Sequence, residues 1–505
     1  MSIALKIRKV RTASGATAVQ LIRYANGKRI IERHIGSAHT QDELTALYNK
    51  AERVREQLNP QRTLFPPEDS KTPLMHKAYL QLTAVTHQFA YEFFNHCSRQ
   101  CGLDTLRPLY TDLVLMRIIE PTSKLRSLEL LKRYFNIEHS PRTVYRRLSE
   151  LIYHKEAIEQ SAYNTAVNHF NEPFSLVLYD VTTLYFESHK PDDALLAKGF
   201  SKDDKSKQPQ IVIGLLVTQQ GFPLMHEVYK GNTFEGHTLL NVIKIFQRRH
   251  PKAKPIIIGD AAMLSHNNMR ALEAEGYRYI VGARLANTST SFIHAIDTAI
   301  ERQEGSMLRL SYPNRTYEVV CTYSQKRYRK DKRQFDKQVE KAQELIKRKE
   351  PGKRAKFVKK AKGIKSSYIM DEALKEKTMK LLGVKGYCTN IPLKELSNEQ
   401  VVKYYHDLWH VEQTFRMSKS DLKTRPIFHY EHEAVKSHVL LCFMALMIGK
   451  FLEIKTGLSL RKIRDIVWNV HEVQIQDKLT GESITLRTNL DEYHNSGLHE
   501  ILKPH

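Results

Sequence analysis

Apolar residues recur along this chain at shifting intervals, and each interval predicts its own kind of element. Residues 1–58 begin with alternating apolar and polar positions (ALKIRKVRT, then TAVQLIRYANGKRIIERHIG). That alternation predicts strands turning at Ala25-Asn26-Gly27, followed by a helix, QDELTALYNKAERVREQL. The polar, proline-bearing stretch 59–73 reads as a linker. Residues 74–170 carry helical spacing throughout. Within them, 123–152 holds two amphipathic segments, SKLRSLELLKRYF and PRTVYRRLSELI, around a short polar break. Ser140 suits the N-cap of the second segment and Pro141 its first helical position. Its exposed face would carry Arg142, Arg146, Arg147 and Tyr145. Such a face suits a helix laid in a DNA major groove, and an ordinary helical hairpin accounts for it equally.

The pattern changes after residue 170. Residues 174–292 hold apolar, β-branched runs (FSLVLYDVTTLYFE, QIVIGLLVTQQGFPLMHEVYKG, KPIIIGD, RYIVGARL) interleaved with the helical GHTLLNVIKIFQRRH and NNMRALEAEGY. Strands with intervening helices predict an α/β layer. Residues 293–384 contain a β-hairpin, MLRLSYPNRTYEVVCTYS, and then a basic helix. Residues 385–452 return to the earlier pattern, with a strand at KGYCTNI. One long helix at 397–422 follows, capped by Ser397. In the C-terminal region, 453–505, a short helix lies near Ile463–Val470 and TGESITLRTN can pair as strands. The longest apolar stretch, VLLCFMALMIG at 439–449, falls short of the about 20 residues of a membrane span and predicts a buried helix.

Charge narrows the picture. Among 505 residues, Lys and Arg number 79 against 55 acids, a net +24. Such a surplus attracts polyanions, nucleic acid foremost, although a basic soluble enzyme has the same composition. The surplus is concentrated between Lys326 and Lys365, where 18 Lys or Arg face 5 Asp or Glu. A solvated helical face or a phosphate-backbone contact fits that run. The five cysteines are odd in number and mostly far apart, which predicts reduced thiols. Cys97 and Cys101 are read as one helix face rather than a zinc site. The opening MSIALKIRKVRT lacks the apolar core of a signal peptide. A cytoplasmic, nucleoid-associated location without membrane contact is expected.

Three acids stand where acids are costly. Asp180 interrupts the apolar strand LVLYDVTTLYF, Asp260 ends the apolar strand PIIIGD, and Glu412 lies in the long helix. A charge in or at the end of a buried strand needs a partner or a metal ion. Taken singly, each acid fits a salt bridge or a cap. Together they suit phosphodiester chemistry, in which two divalent cations held by carboxylates activate the attacking oxygen and stabilise the leaving one.

The surrounding sequences sharpen this reading. YDVTTLYFES with GFSKDDKSKQPQIVIGLLVTQQGFPLMHEVYKGNTFEGHT, then IIIGDAAMLSHNNMRALEAEGYRYIVGARL, then YHDLWHVEQTFRMSKSDLKTRPIFH resemble, in order, the three catalytic blocks of DDE transposases from bacterial insertion sequences. The third block is similar to the IS4-like branch with its Tyr-Arg-Glu-Lys signature. Tyr405, Glu412 and Lys419 hold three of those positions, Leu408 stands at the Arg position, and Arg416 is a candidate replacement. Helical steps predict that Tyr405, Glu412, Arg416 and Lys419 point one way, toward DNA phosphates. The resemblance implies a ribonuclease-H-like α/β catalytic core interrupted by the 293–384 insertion. It implies a helical DNA-binding region before the core and a small α+β unit at the N-terminus. It also implies Asp180, Asp260 and Glu412 as catalytic and metal-binding residues, with two Mg²⁺ ions, or Mn²⁺, as cofactors. The partners would be the terminal inverted repeats and target DNA, met by a homodimer in a synaptic complex. The insertion's Tyr312, Tyr317, Tyr323 and Tyr328 could stack on a base or simply pack the hairpin. Trp409 is expected to be packed. Glu187, Lys202, Asp203, Asp204 and His237 are expected in structural or solvated roles. The rival readings are a nuclease of the same fold without strand transfer, and a DNA binder that has lost activity.

Overall fold

The computed structural model describes residues 5–25, 27–58, 80–186, 195–198, 208–234, 236, 238–261, 266–348, 355–360, 368–429, 431–478 and 481–502. The expected linker, and Glu187, Lys202, Asp203, Asp204 and His237, lie outside these residues. The chain begins with strands β1 (Lys6–Arg11), β2 (Thr17–Ala25) and β3 (Lys28–Ala38), then helix α1 (Gln41–Leu58) and strand β4 (Leu80–Thr86). Helices α2 (Gln88–Gln100), α3 (Pro108–Ile119), α4 (Lys124–Phe135), α5 (Pro141–Leu148) and α6 (Lys155–Phe170) follow. Next come β5 (Leu176–Tyr185), β6 (Gln210–Thr218), β7 (Pro223–Lys230), α7 (Leu239–Arg249), β8 (Ile256–Gly259), α8 (His266–Ala274), β9 (Arg278–Ala283) and α9 (Thr290–Ala299). The hairpin β10 (Met307–Ser311) and β11 (Glu318–Tyr323) leads to α10 (Gln325–Arg348), β12 (Val358–Lys360), β13 (Tyr368–Met370), α11 (Glu372–Lys380) and β14 (Val384–Thr389). The remainder is α12 (Asn398–His406), α13 (Trp409–Arg416), α14 (His432–Thr456), α15 (Leu460–Trp468), β15 (His471–Asp477), β16 (Ser483–Thr488) and α16 (Leu490–Asn495).

The chain divides into two compact units. One comprises Met1–Phe93, Lys132–Ile137 and Ile463–His505. In it, β1, β2 and β3 pair antiparallel, and α1 closes a small core of Val19, Leu21, Ala38, Leu47 and Ala51. Ala25 pairs with Lys28 on either side of the expected turn, whose Asn26 lies outside the described residues. A second sheet sets β15 between β16 and β4. The strand β4 corrects the all-helical expectation for 74–170. Its partner lies near the other end of the chain, so local periodicity alone does not reveal the pairing.

The other unit, Phe94–Leu131 with Glu138–Lys462, contains an eight-stranded mixed sheet of order β10-β11-β14-β9-β8-β5-β6-β7. The central pairs β5–β8 and β8–β9 are parallel and the others antiparallel. β6 is buried at every position and β5 at all but two, Asp180 and Tyr185. Apolar β-branched runs of this kind are found in strands covered on both faces. The hairpin β10–β11, expected in the insertion, pairs through β11 with β14 and lengthens this sheet. Helix α14 is long and apolar enough for a membrane span by composition, yet 89% of that apolar window is buried inside the protein. It is a core helix, packed on α3 and β7. Buried Glu159 ties α6 to the strands: it pairs with Lys155 at 2.9 Å and Arg249 at 2.6 Å, and accepts from the His226 backbone at 3.0 Å. All five cysteines are buried and unbridged.

Candidate active site

The parallel register of β5 and β8 builds the site. Tyr179 pairs with Gly259, so the next residues, Asp180 and Asp260, sit side by side where the two strands end their pairing. Asp180 is half-buried in the sheet, and Asp260 is exposed at the mouth, held by the Ala261 N–H at 2.6 Å. Gly259 in turn pairs with Val281, which puts Gly282 next to Asp260, and Gly282 pairs with Tyr387 of β14. One level of the sheet therefore runs Asp180, Asp260, Gly282, Tyr387.

Over this level lies α12. Its start is fixed by a capping box, with Ser397 accepting from Gln400 and the Gln400 side chain accepting from Ser397. Its Tyr405 is buried, and the phenol hydroxyl is bonded to Asp260. Gly282 makes that approach possible: a Cβ there would lie 2.6 Å from the Tyr405 hydroxyl. Burial pushes the Tyr405 phenol well above its ordinary range, and the charges of Asp260 and Glu412 push it further. Lys385 of β14 lies with its ammonium 4.7 Å over the Tyr405 ring. Burial lowers its pKa and nearby Arg327 adds to that, while Asp260 and Glu412 oppose both. Thus Asp260 and Glu412 act on the same two side chains, Tyr405 and Lys385, with Arg327 of the basic helix α10 close by.

The expected single helix at 397–422 is instead α12, a break at Asp407–Leu408, α13, and a π-helical turn at Met417–Asp421. Contacts to the β6–β7 turn accompany the break. Gln219 donates to the Asp407 carboxylate at 2.7 Å, and the Thr414 hydroxyl donates to the Gly221 carbonyl at 2.9 Å. α13 packs on β5 and β6, carrying exposed Glu412 and Arg416 to the edge of the site. The single outward face expected for Tyr405, Glu412, Arg416 and Lys419 is therefore corrected. Tyr405 points inward, Glu412 and Arg416 face solvent, and Lys419 is half-buried in the π turn. Trp409, expected to be packed, is 48% exposed. Among the described residues, no three Asp, Glu, His or Cys side chains converge closely enough to hold an ion.

The remaining candidates are on α5 and in the β10–β11 hairpin. α5 is capped by Ser140, as expected, and ends at Leu148, short of Ile152. Arg142, Tyr145 and Arg146 are exposed. Arg147 is not on the free face: its guanidinium holds both Glu150 oxygens, at 2.8 and 2.9 Å. In the hairpin, Tyr317 is buried, and Tyr312 packs on Phe292 with ring centroids 4.8 Å apart. Lys385 is the residue that sequence reasoning missed. Its signal was present: a lysine inside an otherwise apolar strand, KGYC, is costly for the same reason as Asp180.

Comparison with known proteins adds the following. The sequence profile described as a transposase DDE domain matches residues 172–448, more than half of the chain and the whole stretch carrying the three acids. No curated protein matches. Among solved structures, a piggyBac transposase synaptic complex with hairpin DNA aligns at 10% identity and TM-score 0.39, covering 83% of each chain. A Mos1 transposase paired-end complex with the left transposon end aligns at 14% identity and TM-score 0.16, covering 46% of this chain and 66% of that one.

Proposed function

Because the chain belongs to the transposase DDE domain family, enzymes that cleave DNA and transfer the cut strand, we propose that Asp180, Asp260 and Glu412 are the acids that do this chemistry here. The observation that carries the assignment is the register: two carboxylates side by side on adjacent parallel strands, with Glu412 on a helix packed on the first of them. This placement supports the reading of the sheet as a ribonuclease-H-like core, and Tyr405, Glu412 and Lys419 support the reading of the third block as IS4-like.

Enzymes of this family depend on metal ions. The donors here are carboxylate oxygens, two of them on exposed residues, which suits Mg²⁺ or Mn²⁺. Asp180, Asp260 and Glu412 would hold the ions. When bound, such ions supply positive charge that activates an attacking oxygen and stabilises a leaving one. The Tyr405 hydroxyl orients the Asp260 carboxylate, and the Lys385 ammonium over the Tyr405 ring sets a positive charge beside Asp260 and Glu412. Arg416 and Lys419 on the same helical segment, and Arg142 and Arg146 on α5, contact DNA phosphates. Arg147 acts through Glu150, holding α5 in place. Water attacks at the transposon end and frees a 3′-hydroxyl, which then attacks target DNA. A homodimer synapses the two terminal inverted repeats.

The test is a cleavage and strand-transfer assay with Mg²⁺ on the inverted repeats flanking the gene. Asp180→Ala, Asp260→Ala and Glu412→Ala should each bind the ends without cutting or joining. Full activity in any one of them removes that residue from the site.

A further inference from the structure

Buried positive charge gathers at a second place in the same unit. Arg117, in the last turn of α3, and Lys124, the first residue of α4, are 5% and 6% exposed. Arg117 donates to the Lys423 carbonyl at a long 3.4 Å, and the Lys124 ammonium meets Nδ1 of His438 at 2.7 Å. A guanidinium has five N–H donors and an ammonium three. Among the described residues, neither cation has an acidic partner. Lys423, Arg425, His429 and His438 line the same cavity of about 370 Å³, and no carboxylate does. The groups disfavour one another's charge. Burial, then Arg117, lowers Lys124 to about 7, and burial, then Lys124 and Arg117, lowers His429 to about 4. Uncompensated buried cations are costly, and a bound anion offsets that cost. Two aromatic rings, Tyr145 of α5 and Phe428, line the cavity and are 51% and 63% exposed, suited to stacking on a base or sugar.

The cavity is tied to the catalytic strand. The Arg425 guanidinium lies 5.4 Å from the centre of the Tyr185 ring at the end of β5, and Phe186 bridges Ile427 in parallel. From Asp180 to Tyr185 the strand runs roughly 17 Å at ~3.3 Å per residue.

We propose that this cavity binds a phosphate group, and that the phosphate belongs to the backbone of the transposon-end strand, roughly five nucleotides from the bond being cut at ~3.4 Å each. The inference rests on the reading of the chain as a DNA-cutting enzyme. Arg117 and Lys124 provide the charge, Lys423 and Arg425 close over it, and Tyr145 and Phe428 take the adjoining base.

Binding of end DNA to the full-length protein tests this, with neutral methylphosphonates replacing one phosphate at a time along the strand. Wild type should lose about tenfold in affinity at one position some five nucleotides from the cut. Lys124→Met should bind unmodified DNA about tenfold more weakly and show no further loss at that position. The scan on wild type stands even if the variant fails to fold. A scan that is flat near that position, while wild type still cuts the ends, overturns the proposal and leaves the transposase reading intact. A flat scan combined with a rise in thermal midpoint in inorganic phosphate or a nucleoside monophosphate, absent in Lys124→Met, shows a site for a free phosphate and overturns the DNA assignment. Wild type that neither binds nor cuts the ends overturns both.

Discussion

Replacing Lys124 with Met should stabilise the DNA-free protein, and by an amount that depends on pH. The lysine's pKa falls from an ordinary 10.5 to about 7 on folding, through burial and through Arg117, with Cys442 opposing. His438 and His429 face the same ammonium and are themselves pushed down, and an imidazole has no negative charge with which to offset it. Above pH ~10.5 the lysine is neutral folded or unfolded and costs nothing by this route. Between 10.5 and 7 the unfolded chain holds a proton that the folded chain has lost, so stability declines as pH falls. Below 7 both are charged and the whole penalty, about 5 kcal/mol at 1.36 per unit, is present. Met removes this penalty. It also leaves Nδ1 of His438 unpartnered, which costs roughly 1–3 kcal/mol at any pH. The pH dependence is therefore the cleaner quantity: the advantage of Lys124→Met over wild type should shrink by about 2 kcal/mol between pH 7 and pH 9. Urea unfolding followed by Trp409 fluorescence, with both proteins in a Trp468→Phe background, reads the unit that contains the cavity. Parallel pH dependence in the two proteins would refute the reasoning, because a lysine with an unshifted pKa carries no such penalty.

Three further outcomes follow from the geometry. Gly282→Ala forces the Tyr405 hydroxyl away from Asp260, so end cleavage should fall at least tenfold while end binding changes less than twofold, measured on the same DNA. Lys385→Met removes the cation that lies over Tyr405 beside Asp260 and Glu412. End cleavage should then fall roughly tenfold with end binding little changed, Lys385→Arg restoring it, and unchanged cleavage would show that Lys385 is only packing. Glu159→Gln takes from Lys155 and Arg249 their shared carboxylate while leaving them Glu227 and Glu156, and should cost on the order of 1.5–3 kcal/mol in urea unfolding at pH 7. Burial alone would raise the Glu159 pKa, but the bonds and charge of His226 and the charge of Lys155 hold it at about 2. In wild type that contribution, about 3 kcal/mol, is present above pH 4.5 and lost as pH falls through 2, a limb the variant should lack.

How much of this was legible in the sequence depended on whether the cause was local. Asp180 and Asp260 stand out in the chain because an acid in or at the end of an apolar strand is expensive, and that expense is visible residue by residue. The strands and helices of 174–292 were legible for the same reason, since runs of β-branched residues and helical spacing each describe a few consecutive positions. The capping box at Ser397 was read in part, through the cap alone. The break in the catalytic helix was not legible. SNEQVVKYYHDLWHVEQTFRMSKSDL has neither glycine nor proline, and the contacts at the break come from Gln219 and Gly221, far back in the chain.

That break matters more for function than its length suggests. In an unbroken helix, Tyr405 and Glu412 would stand two turns apart on one face and meet the same surroundings. With the turn at Asp407–Leu408, Tyr405 is directed into the sheet to hold Asp260, while Glu412 faces outward beside Arg416. The chain thereby separates the two tasks of its third block. One residue orients a carboxylate of the sheet, and the other presents a carboxylate to whatever enters from solvent. The cavity around Lys124 escaped sequence reasoning for a related reason. It is made by cations from segments distant in the chain, and a lone lysine in a chain of net charge +24 draws no notice until its neighbours in space are known.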